Sequence, residues 1–318
     1  MLRGRKKLIL TLGDPNGIGP EIILKIFKQK KLLKDFELKI AGSKKILDEY
    51  SALLNLPEIN SQYVIDIPVS SSYRLSPGNI DRHAGKISGK SVKLAAVMCM
   101  RKSFDAMITM PISKESLNLG GYNYHGHTEM LEEITNSDEV VMMLYSTRFS
   151  VALITGHIPI KKVGSIINAE LLFRKIAVVN NTLVRNFKIR KPKIAVLALN
   201  PHSGDGGLIG MEEQNIILPL IEKMNLHGFT IRGPFSPDAY FAVKAYKKFD
   251  ITVAMYHDQA LIPFKMISFG KGVNYTAGLK IIRTSPDHGT AFDIAGTGKA
   301  DIGSSIEAIK LAGKLKAY

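Results

Sequence analysis

Between Tyr256 and Gly303 the chain reads YHDQALIPFK, then GVNYTAGL, then IIRTSPDHGTAFDIAGTG. These stretches supply His257, Asp258, Lys265, Asn274, Arg283, Asp287, His288 and Asp293. An imidazole able to hold a metal, two cations able to clamp phosphate or carboxylate, and a glycine-punctuated loop with a histidine and an acid are threaded through apolar residues. Buried polar groups need partners, and a ligand can supply them. Two more histidines stand in comparable places: His157 follows FSVALITG and His202 follows KIAVLALNP, so each of His157, His202 and His257 lies just past an apolar run. In open α/β sheets, ligands collect at the C-terminal ends of strands. One such histidine alone reads as a hydrogen-bonded loop residue. Three in the same position can hold a divalent cation and leave room for substrate, which is catalytic rather than structural ligation. Lys265, Asn274 and Arg283 would complete a polar pocket, with Arg283 offering a planar fork and Lys265 a point charge.

The elements that must position these residues follow from hydrophobic pattern and punctuation. Lys7 to Leu12 reads as a buried strand entering GDPNGIGPE (Gly13 to Glu21), and a helix follows to about Lys31. Three glycines in seven residues let this backbone lie against a ligand. The spacing is not that of the GxGxxG fingerprint, which excludes a Rossmann dinucleotide fold. The alternation continues with strands at Glu37 to Ala41 and Ala106 to Thr109, and helices at Lys44 to Leu54 and Gly85 to Lys102, the last preceded by a Ser- and Pro-rich loop from Ser70. The segment MPISKESLNLGGYNYHGHTEML then delivers His125, His127 and Thr128 to a helix N-terminus, where unpaired N–H groups favour anions; Thr128 as a simple N-cap is the competing reading. Val140 to Tyr145 and Phe149 to Ile154 read as strands around a turn. A helix at Asn168 to Phe187, a strand at Lys193 to Leu199, a helix at Met211 to Met224 and a strand at Ile251 to Met255 complete the alternation. Asp238 stands at a helix start, where it could cap the helix, orient a ligand or accept a proton. This order predicts an α/β fold with helices covering largely parallel sheets.

Composition narrows the function classes. The 318 residues suffice for one large domain or two, with 45% apolar and 22% charged residues. The single cysteine, Cys99, lies in the apolar helical run VMCM and reads as core, and its solitude predicts a reducing, cytoplasmic setting. A formal charge of +15 comes from dispersed lysine pairs such as Lys30-Lys31 and Lys161-Lys162, without an arginine-rich tract or a nucleic-acid motif. It argues for a solvated basic face that draws in an anionic small molecule, not for nucleic acid. No apolar run approaches the length that spans a bilayer.

Together GDPNGIGPE, GHTEM, NPHSGDGG, YHDQ, GVNYTAGL and RTSPDHGTAFDIAG resemble the 4-hydroxythreonine-4-phosphate dehydrogenase family of vitamin B6 biosynthesis, from Gly13 to about Ile306. The loops GDPNGIGPE and HGTAFDIAG are also similar to those of isocitrate and isopropylmalate dehydrogenases. The resemblance implies a two-domain α/β/α sandwich of that non-Rossmann kind, with residues 1–126 and 264–318 in one domain and 127–263 in the other. It implies His157, His202 and His257 as ligands of one divalent ion (zinc, magnesium or cobalt). It implies His127, Thr128, Lys265, Asn274 and Arg283 as substrate-binding residues, and Gly13, Asp14, His288 and Asp293 as contacts of NAD or NADP. Asp238 and Lys265 are the candidate proton-transfer residues. A homodimer with its active site at the subunit interface is expected, and one metal ligand would then come from the partner chain. The implied reaction oxidises 4-phosphooxy-L-threonine to 2-amino-3-oxo-4-phosphooxybutanoate, which loses CO2 to give 3-amino-2-oxopropyl phosphate. A dehydrogenase for a phosphorylated sugar acid such as 4-phospho-threonate is the near alternative. A phosphate acyltransferase of related fold is more distant, since it has no use for three metal-binding histidines, and a non-catalytic binding protein leaves the titratable cluster without a purpose.

Overall fold

The computed structural model describes residues 4–70 and 72–316. Ser71, within the expected Ser- and Pro-rich loop, lies outside the described residues, as do the first three residues of the basic N-terminus. The chain forms two compact units. One runs to Ser137 and resumes at Leu279; the other is Asp138–Gly278.

The first unit opens with β1 (Lys6–Thr11), α1 (Gly19–Phe27), α2 (Lys30–Asp35), β2 (Phe36–Gly42), α3 (Lys44–Leu54) and β3 (Val64–Asp66). It continues with α4 (Arg82–Met100), β4 (Ala106–Ile108), α5 (Lys114–Leu119) and α6 (His127–Thr135). Leu8, Ile9 and Leu10 of β1 are fully buried, and β1 pairs in parallel with β2 on one side and β4 on the other. Strand β2 pairs in parallel with β3. α4 starts earlier than the apolar periodicity suggests because Asp81, in extended conformation, accepts a hydrogen bond from Ala84 N and caps the helix.

The second unit holds β5 (Val141–Tyr145), β6 (Ser150–Leu153), α7 (Val163–Ile166), α8 (Ala169–Arg185), β7 (Lys193–Leu197), α9 (Leu218–Leu226) and β8 (Thr230–Phe235). It closes with α10 (Pro237–Ala242), β9 (Ile251–Ala254), α11 (His257–Ser268) and β10 (Val273–Ala277). Strands β6, β9, β7 and β8 pair in parallel in that order. β10, β5 and β6 pair antiparallel, so this sheet is mixed rather than largely parallel as expected. The reason is the tight turn at Ser146–Phe149, where Ser146 N and Oγ both donate to Phe149 O. A turn that short joins strands only in antiparallel sense.

The chain then returns to the first unit with β11 (Arg283–Pro286) and α12 (Gly303–Lys314). β11 pairs in parallel with β4, and α12 packs on both. The crossings at 137/138 and 278/279 fall later than the expected 126/127 and 263/264. α6 packs on α4 and so stays with the first unit, while β10 pairs with β5 and holds α11 in the second.

Candidate active site

Within the second unit, the three singled-out histidines stand where the strand pattern puts them. His157 follows β6, His257 follows β9 and opens α11, and His202 follows β7, and these strands are neighbours in the order β6–β9–β7. The His157 and His257 rings approach to 5.4 Å between centroids, tilted by 46°. His257 Nδ1 lies 2.7 Å from Asp258 Oδ1. With Nδ1 donating to that carboxylate, Nε2 keeps its lone pair for a ligand. A cavity of about 300 Å³ opens here, lined by His157, Ile160, Val163, Tyr256, His257 and Asp258 among others.

His202 is not gathered with this pair. Among the described residues no three His, Cys, Asp or Glu side chains form a group that could hold a metal. The donor chemistry fits a divalent cation at the His157–His257 pair. The pair offers two imidazole donors there.

Asp238 is exposed in the first turn of α10, whose N-cap is Ser236, so the N-cap reading of Asp238 is corrected. Ser236 Oγ donates to Asp238 Oδ1 at 2.6 Å. That hydrogen bond, helped by the Ala239 backbone N–H and the nearby His202, holds the carboxyl below its usual range. The group stays ionised, which suits it poorly to strong base chemistry. Lys265 is exposed in the last turn of α11, and Asn274 is half-buried on β10 opposite Leu144.

The first unit holds a different kind of site. Gly126, with φ of 155°, is the N-cap of α6, which makes His127 and Thr128 its first two residues and corrects the reading of Thr128 as the cap. His127 Nε2 is buried and has no hydrogen-bond partner. Burial drives this imidazole well below the usual histidine range, and the positive charge of Arg283 adds to the effect. Arg283, at the start of β11, is 3% exposed. Its Nε and Nη2 donate to Thr109 Oγ1 at 2.9 and 2.8 Å, and burial lowers its pKa to about 10. A neutral histidine, a buried guanidinium and a helix N-terminus converge here, and an anionic oxygen would be attracted by all three. Thr109 was not singled out from sequence; its only signal is that it ends the apolar run AMIT before MPIS.

The two glycine loops of this unit lie against each other. Ile18 N donates to Thr290 O at 3.0 Å. A Cβ on Gly17 would stand 3.1 Å from that same oxygen, too close to be comfortable. Glu21 accepts from Ala300 N at 2.7 Å and from Gly298 N at 3.2 Å. Gly13 takes a φ of 76°, and a Cβ there would come within 2.6 Å of Pro111 O. Asp14 is fully buried; its Oδ1 accepts from Asn16 N at 2.8 Å and its Oδ2 has no geometric partner. Desolvation pushes its carboxyl up to about 6, against hydrogen bonds to the carboxylate that pull the other way. His288 Nδ1 faces Gly289 O at 3.2 Å while its Nε2 is buried without a partner, and Asp293 is exposed. Gly13, Asp14, His288 and Asp293 are thus carried by adjoining loops, and the buried His288 Nε2 is left without a partner.

Residues 26–312 match the family described as pyridoxal phosphate biosynthetic protein PdxA. A 4-hydroxythreonine-4-phosphate dehydrogenase from a Sulfurihydrogenibium species is 45% identical over 321 residues, covering 98% of both chains. A D-threonate 4-phosphate dehydrogenase from Salmonella typhimurium is 38% identical over 326 residues, covering 98% of this chain and 99% of its own. Among solved structures, a 4-hydroxythreonine-4-phosphate dehydrogenase from Klebsiella pneumoniae superposes with a TM-score of 0.87 at 37% identity, covering 96% of this chain and 98% of that one.

Proposed function

The chain belongs to the PdxA family of pyridoxal phosphate biosynthetic proteins, and from that premise we propose that it is an NAD(P)-linked, metal-dependent 4-hydroxythreonine-4-phosphate dehydrogenase. The reaction moves a hydride from C3 of 4-phosphooxy-L-threonine to NAD(P)+ and releases the hydroxyl proton. The resulting 2-amino-3-oxo-4-phosphooxybutanoate is a β-keto acid and loses CO2 to give 3-amino-2-oxopropyl phosphate. The observation that carries this reading is the pairing of His157 and His257 beside the Asp258 carboxylate, at the ends of neighbouring strands.

The first unit's part is anion recognition. A phosphate or carboxylate oxygen at the α6 N-terminus would accept from an Nε2–H of His127 and be attracted by Arg283. Because His127 is neutral, it contributes a directed hydrogen bond while Arg283 supplies the charge. Thr109 keeps the guanidinium in one orientation. The GDPNGIGPE and HGTAFDIAG loops are the candidate cofactor platform, through Gly13, Asp14, His288 and Asp293.

The second unit's part is proton handling and ligation. His157 and His257, with His202, would hold a zinc, magnesium or cobalt ion, and one of the three would come from the partner subunit. Bound there, the ion would supply Lewis acidity to a substrate oxygen. Asp258 fixes the His257 tautomer, Asn274 offers a donor to the anionic substrate, and Lys265, rather than Asp238, is the candidate for proton transfer. A homodimer is supported by the apolar face of α11 and the residue after it. Ile262, Met266 and Phe269 are 58%, 81% and 88% exposed on the helix that carries His257. A monomer rarely leaves such a face in water. Among the described residues no helix is long and apolar enough to cross a membrane.

The Salmonella relative supports a second reading, oxidation of D-threonate 4-phosphate. The two substrates differ in the amino group, so side-by-side turnover with NAD+ and NADP+ decides between them. A higher kcat/KM for 4-phosphooxy-L-threonine is expected; a preference for the threonate selects the second reading, and turnover of neither contradicts both.

A further inference from the structure

The loop that carries His202 is wound left-handed. His202, Ser203, Gly204, Asp205 and Gly206 have φ of 49°, 55°, 81°, 45° and 66°, and three of the five bear side chains. In that conformation a Cβ crowds the following carbonyl, so L-residues adopt it in succession only when the surroundings enforce it. The enforcing group is visible. Leu199 N and Asn200 N both donate to Glu213 Oε1 at 2.8 Å, and Asn200 Nδ2 donates to Glu213 Oε2 at 2.9 Å. Glu213 is 2% exposed and starts a single π-helical turn, Glu213–Ile217, a wide turn often found beside functional sites. The left-handed turn sits directly over this carboxylate. A Cβ added to Gly204 would lie 2.9 Å from Glu213 Oε2 and 2.6 Å from Gly210 O.

We propose that Glu213 is the positioning residue for His202: its buried carboxylate anchors Leu199 and Asn200 and thereby locks the strained turn that presents the imidazole. Glu213 does not act on substrate; it acts through the backbone. The inference rests on the reading of His202 as a cation ligand. A neutral amide cannot replace the carboxylate, because Gln at this position turns one acceptor into a donor facing Asn200 Nδ2. Flipping Asn200 does not repair the contact, since the same Nδ2 also donates to Glu212 Oε2 at 2.8 Å and a flip would set oxygen against carboxylate.

The test is Zn²⁺ titration by calorimetry of the full-length wild type, Glu213→Gln and His202→Ala, followed by turnover of each across a range of Zn²⁺ concentrations. Glu213→Gln should bind Zn²⁺ about tenfold or more weakly, and excess Zn²⁺ should restore its turnover, because every ligand is still present. His202→Ala should bind more weakly still and resist that rescue. Wild-type Zn²⁺ affinity in Glu213→Gln beside a weakened His202→Ala overturns the positioning role alone. Wild-type affinity in His202→Ala overturns the ligand reading and the proposal with it. Asn200→Ala removes the side-chain bonds to Glu213 and Glu212 while leaving both backbone donors to Glu213 in place, and covers the case in which Glu213→Gln does not fold: several-fold weaker Zn²⁺ binding is expected, and unchanged binding overturns the proposal.

Discussion

Arg283 donates through both Nε and Nη2 to a single oxygen, Thr109 Oγ1, at 2.9 and 2.8 Å, inside a core where Arg283 is 3% exposed and Thr109 not at all. Register makes this possible: β11 pairs with β4 at Arg283–Met107 and Thr284–Ile108, and Thr109 is the next residue on. Burying a guanidinium carries a desolvation cost that hydrogen bonds and an opposite charge offset.

Thr109→Val keeps the shape and removes the acceptor. It should destabilise the protein by roughly 1–3 kcal/mol, the cost of leaving charged donors unsatisfied, read by urea denaturation. Under the anion-binding reading it should also raise KM for the phosphorylated substrate, and Arg283→Ala should raise it further. An unchanged KM in Arg283→Ala removes Arg283 from substrate binding.

Asp258→Asn should weaken divalent-ion binding by about tenfold while leaving the fold intact, because the exposed carboxylate orients the His257 ring rather than supporting the core. Zn²⁺ calorimetry reads the effect. Equal affinity in the variant would mean that the 2.7 Å contact is a surface pair without function.

Asp14 sets a pH dependence. Its carboxyl is raised from an ordinary 3.8 to about 6 by desolvation, so the folded state holds the proton over a range in which the unfolded chain has released it. Its stabilising contribution is therefore complete below the ordinary value and is lost as pH rises through about 6. At neutral pH the ionised group costs up to roughly 3 kcal/mol. Asp14→Asn should thus be more stable than wild type near pH 7.5 and lose that advantage near pH 4, by urea denaturation at both. If Asp14 serves the cofactor, the stabilised variant should also show a raised KM for NAD(P)+.

Met266→Ser combined with Phe269→Ser should shift the protein toward monomer in sedimentation and lower activity with it, if α11 is covered by a second copy. A dimer that persists in this variant places the subunit contact elsewhere.

The strand-end placement of the three candidate histidines was legible, though not their gathering, since His202 stands apart from the His157–His257 pair. The apolar runs before His157, His202 and His257 mark β6, β7 and β9, and the structure makes these three strands neighbours. Strand order itself was not legible, since pairing depends on contacts far apart in sequence. Thr109 and Glu213 carry no local signal for a related reason. Thr109 gains its role by facing Arg283 across 174 residues, and Glu213 by folding back on the segment before it through a π-helical turn that no periodicity announces. The left-handed run at His202–Gly206 was half-visible: the glycines of NPHSGDGG permit it, but His202, Ser203 and Asp205 adopt it against their own preference. The antiparallel part of the second sheet follows from the short turn at Ser146, a local signal that overrides the general α/β alternation. The domain crossings were offset because α6 and β10 are bound by packing and pairing, not by composition.

The central claim, oxidation of a phosphorylated hydroxy amino acid at a histidine-held cation, is tested most directly by one assay. Reduced nicotinamide formation from 4-phosphooxy-L-threonine is followed before chelation, after metal removal, and after Zn²⁺, Mg²⁺ or Co²⁺ is returned. The expected result is turnover that disappears with the metal and reappears with at least one of the three ions. Turnover that is indifferent to metal removal, or absent under all conditions with well-folded protein, would contradict it.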